Sequence, residues 1–118
     1  MNLIGLFEKS DHLERYSAND AIFVEGTPGD LMYVIVTGQV EVQLRGRTVH
    51  TAVAGEIFGE MALIDDSARS ASAIAKTDCV LAPIDETLFL HTVDRMPSFA
   101  LHVMRVLADR LRSMDARM

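Results

Sequence analysis

The sequence contains little cysteine, proline or tryptophan, and these shortages exclude several classes of protein. Its 118 residues include one Cys, three Pro, seven Gly and no Trp. Because Cys79 stands alone, an intramolecular disulfide and every multi-cysteine metal site are excluded. The Pro and Gly contents are too low for a collagen or a low-complexity linker.

Long apolar runs are also missing, and the longest falls far short of the roughly 20 residues that a membrane helix needs. The N-terminal residues show no basic region followed by a long apolar stretch, so no secretory signal is predicted. Hydrophobic residues make up 49% of the chain and charged residues 24%. Since this composition is globular, we expect a single cytoplasmic domain rather than a disordered chain.

Negative charge dominates the chain but is unevenly distributed. The net charge is −6, with six basic and fifteen acidic residues before position 95 and five Arg against two Asp from Arg95 onward. An acidic chain has no electrostatic reason to bind DNA or an anionic membrane. Arg69 is the only basic residue between Arg47 and Lys76, and it closely follows Asp65 and Asp66. It is therefore either paired locally or available for an anion.

Short stretches rich in β-branched residues alternate with Gly-containing turns and predict a mainly β domain. Strands are expected at 21–24, 31–37, 40–44, 48–53, 71–74 and 80–84. Segment 26–30 predicts a turn, because Pro28 fixes φ and Gly29 permits a positive φ. Segment 45–47 predicts a hairpin turn, and Gly55 ends a strand. Closely spaced short strands favour a sandwich or small barrel over a parallel sheet.

Helical patterns flank the predicted strands. Within residues 3–15, three apolar side chains could share a helical side, and 87–95 resumes helical spacing. Segment 55–72 does not behave like a strand, and residues 60–64 fit one helical turn. A final helix begins near Pro97 and carries one apolar stripe, formed by Phe99, Val103, Val106, Leu107, Leu111 and Met114.

The sequence offers no catalytic or metal-binding constellation. The four histidines, His12, His50, His91 and His102, lie far apart and match neither His-x-His nor His-x-x-x-His spacing. No Ser lies in a nucleophile elbow, and Cys79 is expected to pack as a small hydrophobic residue. We therefore assign no catalytic residue and no metal ligand, and we expect a protein that is not an enzyme.

The most informative segment, 55–72, combines donors for an anion with one acceptor. Gly59 allows close approach of the backbone to a ligand, and the turn after it exposes N–H groups. Arg69 supplies a planar cationic fork that fits a phosphate, and Ser70 adds a hydroxyl donor. Glu60 repels phosphate but suits a hydroxyl donor such as a ribose. The alternative is a surface salt bridge from Arg69 to Asp65 or Asp66, and this chemistry alone leaves both readings open.

Two separated motifs in the expected order resemble cyclic nucleotide-binding domains over nearly the whole chain. The sequence FGEMALI at 58–64, followed by ARSAS at 68–72, resembles the phosphate-binding cassette of that family. Segment 25–42, EGTPGDLMYVIVTGQVEV, resembles the family's early hairpin, and 87–118 resembles its B and C helices. The family includes bacterial catabolite-activator-type regulators, protein kinase regulatory subunits and cyclic nucleotide-gated channels.

The resemblance implies an eight-stranded jelly-roll-like barrel (a double-stranded β-helix) with N-terminal and C-terminal helices. Residues 1–118 would form one cyclic nucleotide-binding domain, with the barrel at about 13–86 and C-terminal helices at about 87–117.

The resemblance also implies roles for individual residues. Glu60 matches the residue that binds the ribose 2′-hydroxyl, and Arg69 matches the arginine that binds the cyclic phosphate. Gly59, Met61 and Ala62 would line the pocket with backbone groups, and Ser70 would touch phosphate or base. Phe58 and Val36 are assigned to the core and Ile64 to the apolar wall or the core, while turns account for Gly26, Gly29 and Gly38.

The expected function is therefore that of a regulatory domain that senses a cyclic nucleotide and transmits binding through its C-terminal helices. Ser70 after the cassette arginine fits either base; cAMP is favoured, and cGMP is the alternative ligand. Where many members have Pro before that arginine, this chain has Ala68, which would loosen the loop.

The expected partners are an unknown effector and a second copy joined through the C-terminal helix. No helix-turn-helix follows Met118, so DNA binding by this chain is not expected, and the domain would stand alone or come from a larger protein. The competing function is a degenerate domain of this fold that binds proteins without a ligand.

Overall fold

Eight strands form two antiparallel sheets, and helices precede, interrupt and follow them. The structure is a computed structural model that describes residues 1–65 and 67–116. In chain order the elements are α1 (Leu3–Phe7), β1 (Glu14–Tyr16), β2 (Ala21–Phe23), β3 (Met32–Thr37), β4 (Gln39–Leu44), β5 (Arg47–Val53), β6 (Ile57–Phe58), α2 (Met61–Ile64), β7 (Ser72–Ala75), β8 (Cys79–Ile84), α3 (Glu86–Arg95) and α4 (Ser98–Ala116). This confirms the predicted mainly β fold with flanking helices.

The strands are arranged in the orders β1-β8-β3-β6 and β2-β7-β4-β5. Neighbours in sequence often lie in different sheets, as in a jelly roll, where long connections return a strand to a distant partner. The exception is the β4–β5 hairpin, whose two-residue turn has positive φ at Arg45 (53°) and Gly46 (78°). These are the angles that a tight hairpin turn requires, so local turn chemistry fixes this register.

The core lies between the two sheets of the barrel unit. One sheet contributes mostly large side chains and the other contributes small ones; they are Tyr33, Ile35, Phe58, Cys79 and Leu81 against Val40, Ala52, Ala73 and Ala75. Strand β3 is also buried on its other face, where α1 packs against it with Leu3 and Phe7. Interlocking of large and small side chains fills the space between the sheets.

Two sequence predictions of secondary structure are wrong at their edges. The expected helix over 3–15 ends at Phe7, and Glu14 and Arg15 instead pair with β8. Within the segment predicted to contain no strand, Ile57 and Phe58 pair with Val34 and Tyr33 of β3. A two-residue strand has no periodicity of its own, so only the long-range partner defines it.

The chain divides into two compact units, Asn2–Glu86 with the strands and Thr87–Met118 together with Met1. In the second unit, the rings of Phe89 on α3 and Phe99 on α4 lie 5.4 Å apart between centroids. Within the described residues, no helix has both the length and the apolar character needed to cross a membrane.

The predicted apolar stripe of α4 is correct at its start and wrong further along. Phe99 and Val103 are buried, and Val106 and Leu107 are half-buried, but Leu111 is 62% exposed. Met114 was the last member of the stripe, and its side chain lies outside the described residues.

Candidate functional site

Backbone hydrogen bonds join Arg69 to the loop between β2 and β3. The Arg69 N–H donates to the carbonyl of Thr27 at 2.8 Å, and the Gly26 N–H donates to the carbonyl of Arg69 at 2.8 Å. The two sequence motifs, about forty residues apart in the chain, are therefore neighbours in the fold. This pairing sets the position from which the Arg69 side chain extends.

The Arg69 side chain is buried, with 9% of its surface exposed, and two backbone carbonyls hold its guanidinium. Nη1 donates to the carbonyl of Gly59 at 3.1 Å and Nη2 to that of Leu31 at 2.8 Å. A guanidinium carries five N–H groups. Three of them, including Nε–H, therefore have no hydrogen-bond acceptor within the described part of the chain. This is an oriented and incompletely satisfied cation.

Two glycines leave the space that the guanidinium occupies. A Cβ atom at Gly29 would lie 2.2 Å from Nε of Arg69, and one at Gly59 would lie 3.0 Å from Nη1. Gly59 also has a φ of 75°, which favours glycine for a second reason. Gly29 does not have a positive φ, so the expectation that it serves the turn through its dihedral angle is wrong.

Aromatic rings form a further wall of the site. The guanidinium carbon of Arg69 lies 4.0 Å from the ring centroid of Phe23, which is a cation–π distance. Phe23 in turn contacts Phe58, and Phe58 stacks on Tyr33 with centroids 5.2 Å apart. The assignment of Phe58 to the core is therefore confirmed, whereas Val36 is only half-buried and Ile64 is 55% exposed.

Burial affects the ionisation of the two polar groups in this wall. Burial lowers the pKa of the Arg69 guanidinium from its usual value, while nearby Tyr33, Asp30 and Glu60 oppose that change. Burial also raises the pKa of the Tyr33 hydroxyl. Removal from water weakens the charged form of each group, and a bound anion beside Arg69 would restore part of the lost stabilisation.

The remaining predicted site residues lie around the short helix α2. Glu60 immediately precedes α2 and is 5% exposed. Glu60 and Arg69 are the two buried charged side chains among the described residues. The Ala62 N–H donates to the Gly59 carbonyl at 3.2 Å, which is also the acceptor for Nη1 of Arg69. Met61 and Ser70 are exposed.

The competing local salt bridge is not formed with Asp65. The Asp65 carboxylate accepts from the backbone N–H of Ser67 at 2.9 Å, and among the residues described, Arg69 forms no ion pair with an acidic side chain. Asp66, the other candidate, lies outside the described residues. A buried cation with donors left over, near a buried carboxylate, can bind an anion that also carries a hydroxyl group.

Comparison with known proteins agrees with this chemistry. Residues 13–96 match the model of the cyclic nucleotide-binding domain. The chain belongs to the cyclic nucleotide-binding domain family. It is 36% identical over 105 residues to the cyclic AMP receptor protein of Thermus thermophilus, which covers 85% of this chain and 49% of the relative.

Two further similarities support membership in the cyclic nucleotide-binding domain family. A cAMP-dependent protein kinase regulatory subunit from Aspergillus niger is 39% identical over 72 residues, 59% of this chain and 18% of that protein. The crystal structure of the Thermus thermophilus catabolite activator protein superimposes with a TM-score of 0.83 at 31% identity, covering 97% of this chain and 54% of that one. The chain thus spans about half the length of one curated relative and less than a fifth of the other.

Sequence reasoning missed three features that surround Arg69. They are the ring of Phe23, the carbonyl of Leu31 and the space at Gly29. Each acts on Arg69 from a distant part of the chain, so no local pattern identifies it. The lack of a positive-φ requirement at Gly29 is visible only in the fold.

Proposed function

We propose that this chain is a non-enzymatic regulatory domain that binds a cyclic nucleotide, with cAMP preferred. The observation that carries the proposal is the buried guanidinium of Arg69, oriented by two carbonyls and left with three N–H groups for an anion. Burial in a low-dielectric site strengthens hydrogen bonds to an ionised phosphate. The family membership supports the same ligand class.

In the proposed complex, Arg69 binds the cyclic phosphate and Glu60 accepts from the ribose 2′-hydroxyl. The backbone of Gly59, Met61 and Ala62 lines the phosphate side, and Ser70 contributes its hydroxyl. The burial of Glu60 supports its part, because a carboxylate held away from water favours a hydroxyl donor. One buried cation and one buried acceptor suit a ligand that carries both an anionic group and a hydroxyl group.

The preference for cAMP over cGMP follows from similarity to other proteins. The two curated relatives described above are named for cAMP. Ser70 is compatible with either base, so cGMP is the second ligand to measure. A cytoplasmic location remains a prediction.

We further propose that α3 and α4 transmit ligand binding. The ring contact between Phe89 and Phe99 joins the two helices, and the N–H of Phe99 on α4 donates to the carbonyl of Met96, which follows α3, at 2.9 Å. These contacts support movement of the two helices as one body. A ligand shifts such an element if its affinities for two states differ, and a difference of a few kcal/mol is sufficient.

A second copy of this chain is the partner we propose for the exposed side of α4. Three apolar residues there are 45–62% exposed and, with Ala108, follow the a/d spacing of a coiled-coil seam; they are Leu101, Met104 and Leu111. A self-complementary seam suits a two-fold dimer, in which each helix offers the same side to the other.

The direct test is isothermal titration with cAMP and with cGMP, on protein stripped of co-purified nucleotide. We expect saturable binding that Arg69→Ala weakens by about 10-fold to 100-fold or more, since each charge-assisted hydrogen bond contributes about 1.5–3 kcal/mol. Arg69→Lys keeps the charge without the fork and should recover only part of the affinity.

The matched control is Arg112→Ala, which removes an exposed arginine paired with Asp109 on α4. Its affinity should equal that of the wild type. If the stripped wild-type protein binds neither nucleotide, the sensor proposal fails, and the ligand-free interaction module takes its place. If binding survives Arg69→Ala unchanged, the proposed pose is wrong even though the ligand class is right.

A further inference from the structure

We infer that Gly29 is a positioning residue for Arg69: the missing side chain at position 29 allows the guanidinium to lie against its two carbonyl acceptors. The consequence for ligand affinity rests on the proposed function, whereas the packing relationship does not. Gly29 itself is not assigned any contact with the ligand.

The usual reason for a glycine in a turn does not apply at this position. Gly26 in the same loop has a φ of 86°, and Gly38 after β3 has a φ of 98°, whereas Gly29 has no positive φ. The φ angle at position 29 therefore gives no reason for glycine. The requirement for glycine must come from the surrounding atoms.

The surrounding atoms belong to the head group of Arg69. A Cβ at position 29 would lie 2.2 Å from Nε, 2.5 Å from Cζ and 2.6 Å from Nη2. Such distances are not compatible with unmoved atoms, so one of the two groups must shift. The arginine is the flexible partner, and its shift is the step with functional consequences.

The other contacts of the guanidinium limit where it can go without losing interactions. Nη2 is bonded to Leu31, Nη1 to Gly59, and Cζ lies 4.0 Å from the Phe23 ring centroid. Displacement by a methyl group at position 29 would lengthen or break the bond from Nη2, because that nitrogen lies among the overlapping atoms. The rest of the fold would lose few contacts, but the orientation of the Arg69 guanidinium would change.

Gly46 in the β4–β5 turn provides a matched control. A Cβ at Gly46 would meet no atom within 4 Å, but its φ of 78° strains any other residue. Gly46→Ala therefore strains a turn that has no hydrogen bond to Arg69, whereas Gly29→Ala displaces Arg69 at a position whose φ does not require glycine. Comparison of the two separates a general effect of backbone strain from a specific effect on the arginine.

The first experiment measures the coupling between Gly29 and Arg69 without any ligand. Urea unfolding is measured for the wild type, Gly29→Ala, Arg69→Ala and the double variant. We expect Gly29→Ala to lower the midpoint in the wild-type background and to leave it nearly unchanged in the Arg69→Ala background, where no guanidinium remains to be displaced. Equal shifts in both backgrounds would overturn the inference.

The second experiment titrates each variant with cAMP and with cGMP in buffer without urea, under conditions in which the variant is folded. For Gly29→Ala we expect an affinity loss of about 10-fold to 100-fold, the scale of one or two charge-assisted hydrogen bonds. Gly46→Ala should stay within about 3-fold of the wild type, since Arg69 keeps its orientation. Wild-type affinity in Gly29→Ala would overturn the inference.

The two experiments keep the inference distinguishable from the proposed function. If the wild-type protein binds neither nucleotide but the unfolding effects of the two substitutions are coupled, the proposed function fails and the positioning role of Gly29 stands. If the wild type binds and the effects are uncoupled, the proposed function stands and Gly29 has no positioning role.

Discussion

The barrel unit and the helical unit differ in charge and in what they bury. Residues 1–86 contain six basic and fourteen acidic side chains, a net charge of −8, whereas residues 87–118 contain five basic and three acidic side chains, a net charge of +2. Both buried charged side chains of the described residues, Glu60 and Arg69, belong to the barrel. Helix α4 has two buried apolar residues near its start and leaves Leu101, Met104 and Leu111 exposed.

This difference is consistent with the proposed function, in which the barrel binds the ligand and the C-terminal helices transmit that binding. An acidic barrel does not attract an anion over long distances, so anion binding must depend on short-range bonds from an oriented cation. The exposed apolar side of an amphipathic helix has no polar groups that could select a small anionic ligand. It instead offers area that another protein surface can bury.

The largest effect that we predict contrasts two leucines in the two units. Leu81 is fully buried in the barrel core, whereas Leu111 on α4 is 62% exposed. Leu81→Ala should lower the free energy of unfolding by about 2–5 kcal/mol, because it removes packed methyl groups and leaves a cavity. Leu111→Ala should change it by less than about 0.5 kcal/mol. Urea unfolding at low protein concentration measures both.

The low concentration in that measurement matters, because association through α4 would add to the apparent stability. If Leu111→Ala lowers the free energy of unfolding as much as Leu81→Ala does, the Leu111 side of α4 is buried in the monomer. The contrast between the two units would then disappear.

The barrel also shows which parts of the fold the sequence can predict. The β4–β5 hairpin follows from Arg45-Gly46, because a glycine readily adopts the positive φ that a two-residue hairpin turn requires. Strand β6, with Ile57 and Phe58, exists only through its pairing with β3. Local chemistry predicts the first kind of element, and only the assembled sheet reveals the second.

The same distinction applies to the site. Arg69 and Glu60 were recognisable from charge, spacing and a family resemblance, and the structure buries both. Gly29 was interpreted as a turn residue, but its φ is not positive, and the Arg69 side chain occupies the space beside it. An interaction across forty residues leaves no periodic or spacing signal, so sequence reasoning could not assign it.

A smaller effect is predicted for the exposed side of α4. Met104→Glu would place a charge in the proposed seam, and a two-fold dimer would bring two such carboxylates together. We expect at least about a 10-fold weaker self-association, since burial of a Met side chain contributes about 1.5–3 kcal/mol. Sedimentation equilibrium measures it, and cyclic nucleotide affinity at monomeric concentrations should not change.

Ser113→Glu is the control for that substitution, because it adds the same charge at an exposed position of α4 outside the proposed seam. It should associate like the wild type. If the wild type remains monomeric at high concentration, or if both variants associate equally, the second copy is not the partner of this surface.

The smallest predicted effect concerns the pH dependence of the helical unit. Burial of His102, assisted by the N-terminal ammonium and by Arg105, lowers the pKa of its imidazole. The unfolded chain therefore binds this proton at a higher pH than the folded chain does. Since the unfolded state then holds more protons, the stability that neutral His102 contributes is present above its ordinary pKa and is lost as pH falls below it.

His102→Gln removes this titration and keeps a polar side chain of similar length. The urea concentration at the unfolding midpoint of the wild type should decrease when the pH is lowered from about 7.5 to about 5.5. These values lie on either side of the ordinary histidine pKa. In His102→Gln that decrease should be smaller. Arg69→Ala should show the full decrease, because it leaves His102 in place. An equal fall in His102→Gln and the wild type would place the pH sensitivity at groups other than His102.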